Sequence, residues 1–358
     1  MLKNLLWLLL AIQFIGCKKT IKEPNPSSTN YFPPTNSAKW ETASPASLQW
    51  DEAALSSLFT FLEQNNTKAF IILKDGRIAA ERYFGTFTVH SNWYWASAGK
   101  TLTAFLVGIA QAEGHLSIND KTSKYLGAGW TSLKLEKEAN ITIRHQLTMT
   151  TGLDDTGGDV DCTLPECLQY KADVGTRWAY HNAPYTLLEK VVEAATGITY
   201  NQYFQQKVST QIGMDGLWVK TGFNNVFFST ARSMARFGLL LLNEGKWNET
   251  TILSDIDYLN SQTQSSQTLN PSYGYLTWLN GKSSYRLPQT QLAFNGPLIP
   301  NAPPDTYAAL GKNDQKIYVV PSQKLVVIRM GESAGNIQLA TSSFDNELWG
   351  KLNEVMKW

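Results

Sequence analysis

The strongest local signal in this sequence is Trp95-Ala96-Ser97-Ala98-Gly99-Lys100, in which a serine and a lysine are three residues apart. The stretch opens a segment from Ser97 to Gly114 whose apolar residues recur with a period of 3.6, which predicts a mostly buried helix that ends at Gly114. Because residues three apart share one face of a helix, Ser97 and Lys100 are expected side by side at its start.

A serine hydroxyl beside a lysine amine can serve as a nucleophile. The hydroxyl is unreactive until a base takes its proton, and a lysine can do so when burial and neighbouring groups lower its pKa. The N-terminus of a helix adds backbone N–H groups and a positive potential that stabilise a developing oxyanion. The same spacing also arises from a capping serine and a surface lysine, so further residues must support the interpretation.

One supporting segment is Tyr180-His181-Asn182. In extended backbone, Tyr180 and Asn182 lie on one side and His181 on the other, where we expect it to be structural. A phenol beside a lysine ammonium can lose its proton more readily and carry protons, and an asparagine amide can orient an ester or amide. Taken alone, the segment fits a buried aromatic residue followed by a turn.

The other supporting segment is Ala308-Ala309-Leu310-Gly311-Lys312, in an expected late edge strand. A glycine at position 311 lets a substrate approach the strand backbone. The N–H of Lys312 can then join that of Ser97 in binding an oxyanion. Taken alone, Gly311 fits a simple strand irregularity.

β-Prone segments lie near both ends of the chain, and helical patterns lie between them. The sequence therefore predicts an α+β fold in which one antiparallel sheet is built from both termini, flanked by helices, and interrupted by a mainly helical insertion. The sheet region comprises about 40–115 and 291–358, and the insertion about 116–290. The expected strands are 69–73, 78–84, 306–311, 316–320 and 325–330, and the expected helices are 51–64, 97–114, 185–196, 231–243 and 344–356.

Composition excludes several classes of protein. The 358 residues are 43% hydrophobic and carry 31 basic against 30 acidic side chains, so the chain is not disordered and has no overall field to attract nucleic acid. The four histidines are scattered, which predicts no catalytic metal, and no cofactor is expected. One acidic cluster lacks the order of a calcium loop and is interpreted as a solvated loop: Asp154, Asp155, Asp159 and Asp161.

The first 17 residues have the order of an export signal, with Lys3 before an apolar run and small residues after it. The run would span about 17 Å as a helix, too short for a bilayer core of roughly 30 Å. Phe14-Ile15-Gly16-Cys17 resembles the lipobox of bacterial lipoproteins, which implies lipidation of Cys17 and membrane anchoring on the periplasmic side; ordinary cleavage nearby is the alternative. Residues 18–39 are expected to be a flexible tether before a globule that begins near Trp40.

Two further cysteines, Cys162 and Cys167, are separated by four residues. In an exported chain this spacing predicts a local disulfide. Closing so short a loop stabilises the fold only modestly.

The three segments around Ser97, Tyr180 and Gly311, in this order and at these separations, resemble the serine β-lactamase and penicillin-binding-protein superfamily. The likeness is greatest to its class C-like branch of esterases, D-aminopeptidases and 6-aminohexanoate-dimer hydrolases, and it covers about Trp40 to the C-terminus. Other landmarks of the resemblance are residues 147–153, 175–180 and 228–238.

The resemblance implies a β-lactamase/transpeptidase-like fold and a role for each residue of the site. Ser97 is then the acylated nucleophile, Lys100 its activating partner, Tyr180 the proton relay to the leaving group and Asn182 a positioning residue. Residues 309–311 take the place of the family's Lys-Thr-Gly, and Lys312 follows them.

The third segment departs from the penicillin-recognising members, which place a cation and a hydroxyl where this chain has Ala309 and Leu310. Strong recognition of a β-lactam or D-Ala-D-Ala carboxylate is therefore not expected. Lys312 is not expected to replace the cation, because neighbouring residues of a strand point to opposite faces. Four aromatic side chains near the motifs could line an acyl pocket or pack in the core: Trp93, Trp95, Tyr170 and Trp178.

We therefore expect an exported serine hydrolase that acts through a covalent acyl-enzyme on a small ester or amide. Its predicted partners are that small molecule and, through Cys17 alone, the lipid bilayer. The alternatives are a penicillin-binding D,D-peptidase or β-lactamase, and a binding or sensor domain on the same fold that does not turn over. An α/β-hydrolase is disfavoured because Trp95 occupies the place of the first glycine in Gly-x-Ser-x-Gly.

Overall fold

The computed structural model describes residues 30–335 and 341–358. The predicted export signal of residues 1–17, including Cys17, lies outside the described residues. No helix in the described ranges is both long enough and apolar enough to cross a membrane.

The strands form one six-stranded antiparallel sheet, one three-stranded sheet and two short hairpins within the described ranges. In chain order the strands are β1 Thr67–Lys74, β2 Arg77–Tyr83, β3 Trp93–Tyr94, β4 Leu217–Thr221, β5 Asn224–Ser229, β6 Lys246–Trp247, β7 Thr250–Thr251, β8 Trp278–Leu279, β9 Ser284–Arg286, β10 Ala293–Asn295, β11 Tyr307–Gly311, β12 Gln315–Val320 and β13 Leu325–Gly331. The large sheet has the order β2-β1-β13-β12-β11-β8, so strands from both ends of the chain are hydrogen-bonded neighbours, and the predicted fold class is confirmed.

The helices lie at both ends of the described chain and throughout its middle. They are α1 Glu52–Gln64, α2 Gly99–Ala112, α3 Ser123–Leu126, α4 Leu135–Glu138, α5 Ile143–Leu147, α6 Asn182–Thr186, α7 Leu188–Thr196, α8 Tyr200–Phe204, α9 Thr210–Ile212, α10 Ala231–Leu242, α11 Ile256–Thr263 and α12 Ser343–Met356. Helix α1 begins where the sequence predicts, because the Asp51 side chain accepts a hydrogen bond from the N–H of Ala54 at 2.9 Å.

The strands β12 and β13 are buried on both faces. On one face α10 packs so closely that a Cβ added at Gly238 would lie 2.5 Å from Cγ1 of Val326. On the other face α12 covers the sheet, where the ring of Trp349 meets that of Tyr318 edge-on at 5.5 Å. The sheet is thus the middle layer between helices, which explains why its strands read as continuous apolar runs.

The small sheet has the order β3-β5-β4 and is absent from the sequence prediction. Its strands are two to six residues long, too short to show a clear alternation of apolar and polar residues, although they contain the strand-favouring Trp, Tyr, Val and Phe. It matters for the site because β3 leads directly into the turn that carries Ser97. The N–H of Trp95 extends the pairing by donating to the carbonyl of Phe227 at 2.8 Å.

Residues 30–39 lie against the folded body, although the sequence predicts a tether through Lys39. The N–H of Tyr31 donates to the carbonyl of Asp75 at 2.9 Å, and Arg236 donates to the carbonyl of Pro34 at 2.9 Å. The ring of Phe32 packs edge-on against Trp247 at 5.1 Å. These aromatic and backbone contacts hold a segment whose Pro-rich and polar composition suggests no fixed structure.

Candidate active site

Ser97 lies in a 3₁₀ turn, Ala96–Ala98, immediately before α2. Ala96 has a φ of 46°, a left-handed conformation that disfavours a residue with a Cβ by about 1 kcal/mol. The N–H of Ala98 donates to the carbonyl of Trp95 at 3.0 Å. The N–H of Ser97 lies in the first turn, where an N–H group has no carbonyl within the helix to donate to. The turn therefore holds the Ser97 hydroxyl and N–H at the helix tip.

Trp95 anchors this turn from inside the protein. Its indole is fully buried, packs edge-on against Phe227 at 4.8 Å and donates through Nε1 to Oγ of Ser229 at 2.8 Å. Of the two alternatives for Trp95, a pocket wall or core packing, the structure shows core packing, because the pairing of β3 with β5 directs this side chain into the core.

The amine of Lys100 lies between Ser97 and Asn182. Its Nζ is 3.0 Å from Oγ of Ser97 and 2.8 Å from Oδ1 of Asn182. The same atom lies 4.2 Å from the ring centre of Tyr185 and 4.9 Å from that of Tyr180. The predicted alcohol, amine, phenol and amide therefore meet at one place, although they come from segments about eighty residues apart.

Burial sets the protonation of Lys100. The side chain is 3% exposed, and its desolvation lowers the pKa from 10.5 to about 7, against an opposing effect of the Asp161 carboxylate. A large fraction of this amine is therefore neutral at pH 7, where it can accept the proton of Ser97.

Tyr180 presents a neutral phenol to the site. Burial raises its pKa above the usual value of 10, and the nearby Ser97 hydroxyl opposes this only in part. Among the described residues, its shielded hydroxyl has no hydrogen-bond partner of standard geometry. The expectation that the neighbouring lysine makes this phenol easier to deprotonate is wrong, because desolvation of the phenolate dominates. Tyr180 is thus a proton donor at neutral pH.

A cluster of aromatic rings fixes the orientation of Tyr180. Its ring stacks on Trp278 at 5.7 Å and lies 6.2 Å from Tyr273 and 6.3 Å from Trp178. Trp178 is 1% exposed, so of its two predicted alternatives the structure shows core packing, in which it backs Tyr180. Its position follows from Tyr273 and Trp278, which lie almost one hundred residues away in sequence.

Asn182 begins α6, and His181 before it has extended backbone. This geometry directs Tyr180 and Asn182 to the same side, towards Lys100, as the sequence predicts. His181 is buried, which lowers its pKa to about 4 and keeps its imidazole neutral at pH 7.

The acidic loop contributes one residue that the sequence interpretation missed. Nδ2 of Asn182 donates to Oδ1 of Asp161 at 2.7 Å. Asp161 therefore does not belong wholly to a solvated loop, since its carboxylate reaches the amide that contacts Lys100. The adjacent Cys162 is bonded to Cys167, with their Cα atoms 5.9 Å apart, as the cysteine spacing predicts.

Gly311 brings the end of β11 against the turn that carries Ser97. A Cβ added at this position would lie 2.4 Å from the carbonyl oxygen of Trp95 and 2.9 Å from the nitrogen of Ala98. The close approach is thus made by the turn of Ser97 itself, so only glycine fits here. Lys312 follows, with an exposed side chain, at the start of the 3₁₀ turn Lys312–Asp314.

A side-chain contact ties this second turn to the first. Nδ2 of Asn313 donates to the hydroxyl of Tyr94 in β3, three residues before Ser97, at 2.8 Å. The backbone around Lys312 is therefore held beside the helix tip. Ala309 and Leu310, earlier in β11, are 2% and 1% exposed and offer neither a cation nor a hydroxyl.

Tyr170 lies at the protein surface. It is 49% exposed, and its hydroxyl donates to Asp173 at 3.0 Å. It borders a cavity of about 160 Å³ with Lys137 and Asp173, and neither Ser97 nor Lys100 lines that cavity. Tyr170 follows the disulfide loop onto the protein surface, and its contribution to an acyl pocket stays a prediction.

The described ranges contain no group of three or more histidine, cysteine, aspartate or glutamate side chains arranged to hold a metal ion. The groups that converge on Lys100 are instead an alcohol, a phenol and an amide.

Known proteins share this sequence pattern and fold. A family model described as Beta-lactamase matches residues 62–347. An uncharacterized protein of Alkalihalophilus pseudofirmus is 26% identical over 303 residues, which are 74% of this chain and 83% of that protein. A Bacillus anthracis protein assigned as a 6-aminohexanoate-dimer hydrolase is 19% identical, with a TM-score of 0.68 over 91% of this chain and 89% of that one. A penicillin-binding protein of Bacillus halodurans is 17% identical, with a TM-score of 0.60 over 81% and 98% of the two chains.

Proposed function

This chain belongs to the beta-lactamase family, and we propose that it is a serine hydrolase that cleaves a small ester or amide through a covalent acyl-enzyme on Ser97. One observation carries the proposal: Nζ of Lys100, a buried amine with a pKa of about 7, lies 3.0 Å from Oγ of Ser97. A base with a pKa near the working pH is most effective at this distance.

In the first step, the neutral amine of Lys100 accepts the Ser97 proton while Oγ attacks the carbonyl carbon of the substrate. The carbonyl π electrons move to oxygen, and the N–H groups of Ser97 and Lys312 stabilise the resulting oxyanion. When the tetrahedral intermediate collapses, the bond to the alcohol or amine breaks. Tyr180 donates a proton to that leaving group and regains one from the Lys100 ammonium.

In the second step, water attacks the acyl carbon and loses its proton through the same groups in the reverse order. The Ser97 oxygen leaves and recovers its proton, which releases the carboxylic acid and restores the enzyme. Asn182 keeps the amine of Lys100 in place between the two steps, through its 2.8 Å contact with Nζ.

The substrate is proposed to be neutral near the reacting carbonyl. Ala309 and Leu310 supply no partner for a carboxylate at the place where penicillin-recognising relatives have a cation and a hydroxyl. A buried site built to bind a carboxylate would leave its polar groups unpaired with a neutral substrate, and the side chains of Ala309 and Leu310 add no such groups. We therefore rank an esterase or amidase above the D,D-peptidase and β-lactamase alternatives.

We also propose that the chain is exported and anchored to a membrane through a lipid on Cys17, with its folded part on the periplasmic side. This proposal has its support in the sequence alone. Fractionation of cells that express the full chain tests it: Cys17→Ala is expected to move the protein from the membrane to the soluble exported fraction, and an unchanged membrane fraction would oppose the proposal.

The proposed activity is tested with p-nitrophenyl butyrate and p-nitrobutyranilide as chromogenic substrates. Wild type is expected to release product continuously, and Ser97→Ala to release none above background. Ser57→Ala, an exposed position in α1, is the matched control and should retain full activity. Release of one equivalent that then stops would favour the sensor alternative. Equal slow release by wild type and Ser97→Ala would refute the hydrolase proposal.

A further inference from the structure

We infer that Asp161 is a positioning residue of this site, whose carboxylate fixes the Asn182 amide that holds the amine of Lys100. The claim that this arrangement prepares Lys100 to activate Ser97 rests on the proposed function. Its structural part can be tested without turnover.

Three hydrogen bonds connect Asp161 to the nucleophile. Oδ1 of Asp161 accepts from Nδ2 of Asn182 at 2.7 Å, Oδ1 of Asn182 accepts from Nζ of Lys100 at 2.8 Å, and Nζ is 3.0 Å from Oγ of Ser97. An ionised carboxylate can only accept hydrogen bonds, so it selects the amide rotamer that turns Nδ2 towards itself. The amide oxygen is then left facing Lys100, where it can accept from the ammonium and from the neutral amine.

The loop that carries Asp161 is fastened to α6, the helix that begins with Asn182. The N–H of Ala183 donates to the carbonyl of Val160 at 3.2 Å. On the other side of Asp161, Cys162 is buried and forms the disulfide with Cys167. The N–H of Asp161 also donates to its neighbour Asp159 at 3.0 Å. Both flanks of Asp161 are thus held, so its carboxylate is directed at the amide by covalent and backbone contacts.

Among the described residues, the charge that acts on Lys100 is the carboxylate of Asp161, and it favours the protonated amine. Tyr180 and Tyr185, which face the amine, remain neutral because burial raises the pKa of each phenol. The helix α7 packs against α2 and carries Glu189, whose field acts on Tyr185.

The helix α11 also packs against α2, and its capping residue Asp255 acts on Tyr258. The side chain of Lys312, after β11, is exposed to solvent. A single carboxylate therefore opposes the burial that makes Lys100 a base.

The decisive experiment measures the rate at which a fluorophosphonate labels Ser97 between pH 5 and 9. Labelling needs neutral Lys100, so the rate rises with pH and its midpoint reports the pKa of this amine. Removal of the Asp161 charge makes the proton easier to lose, so Asp161→Asn is expected to move the midpoint down by about one pH unit. Asp161→Glu keeps the charge and should restore the midpoint to within about 0.3 unit.

Asp161→Ala is expected to move the midpoint in the same way and also to lower the rate at high pH, because the Asn182 amide loses its anchor. Glu166→Gln, an exposed carboxylate within the disulfide loop, is the matched control and should leave the profile unchanged. A role limited to loop stability would lower the melting temperature and leave the midpoint in place.

A second readout does not depend on catalysis. In a Ser97→Ala chain with ¹³C-labelled lysine, NMR titration follows the Cε signal of Lys100 with and without Asp161→Asn. A downward shift of the Lys100 midpoint supports the inference even if wild type fails to label, in which case only the proposed function falls. An unchanged midpoint in this titration overturns the inference, whether or not Ser97 reacts.

Discussion

Replacement of Lys100 by methionine is expected to stabilise the fold at pH 7 while it abolishes acylation. Burial lowers the pKa of this lysine from 10.5 to about 7, so the folded protein disfavours the ammonium, relative to water, by about 5 kcal/mol. Methionine has a similar length and no charge to desolvate, but it loses the contacts of Nζ with Ser97 and Asn182, at about 1 kcal/mol each. The expected net gain is about 1–3 kcal/mol in the free energy of unfolding.

The gain must also depend on pH in a defined direction. The unfolded lysine stays protonated up to about pH 10.5, whereas the folded one loses its proton near pH 7, so folding releases a proton in this window. Wild-type stability therefore rises with pH between these values, and below pH 7 the full penalty is present. The methionine variant has no such dependence, so its advantage should shrink by about 2 kcal/mol between pH 7 and pH 9.

Urea unfolding of wild type and Lys100→Met at pH 7, 8 and 9 measures this difference. Lys134→Met, at an exposed lysine, corrects for the loss of one positive charge and should give a small difference that does not change with pH. A constant gap between Lys100→Met and wild type over this range would refute the assignment of Lys100 as a base with a lowered pKa.

Further predictions concern the phenol and the strand backbone. Tyr180→Phe is expected to lower kcat/KM by 10²–10⁴-fold, with a change of less than about 1 kcal/mol in stability, because the hydroxyl has no partner of standard geometry within the described ranges. A variant with wild-type turnover would remove Tyr180 from the proton path. Gly311→Ala places a methyl group 2.4 Å from the carbonyl oxygen of Trp95, so it should lower turnover at least tenfold and reduce stability by about 1–3 kcal/mol. Gly157→Ala, where the added methyl meets only a contact at 4.0 Å, is its control, and equal behaviour of the two would contradict the close approach.

The parts of the site that the sequence predicted are those set by local periodicity. Spacing of three at a helix start places Ser97 beside Lys100, and alternation in the extended backbone places Tyr180 and Asn182 on one side. The hairpin of β1 and β2 was also predictable, because Asp75-Gly76 is a pair typical of tight turns. In the structure both residues have the positive φ values that such a turn requires.

The parts that the sequence did not predict depend on contacts between remote segments. A tryptophan near a motif can line a pocket or pack in the core, and the sequence does not distinguish the two. Contacts with residues far away in sequence show that Trp95 and Trp178 belong to the core. Asp161 resembled the other acidic residues of its loop, because its contact with Asn182 crosses twenty-one positions. Residues 30–39 looked like a tether because two prolines, two asparagines, a threonine and a serine outnumber the two aromatic residues that hold the segment in place.

The most direct test of the central claim is covalent labelling of the full chain with a fluorophosphonate at pH 7, followed by peptide mapping in a mass spectrometer. We expect one adduct per chain, on Ser97, with none in Ser97→Ala and none in Lys100→Ala, which should retain its fold by circular dichroism. Labelling of Lys100→Ala at the wild-type rate, or an adduct on another residue of wild type, would contradict the claim that the buried amine activates this serine.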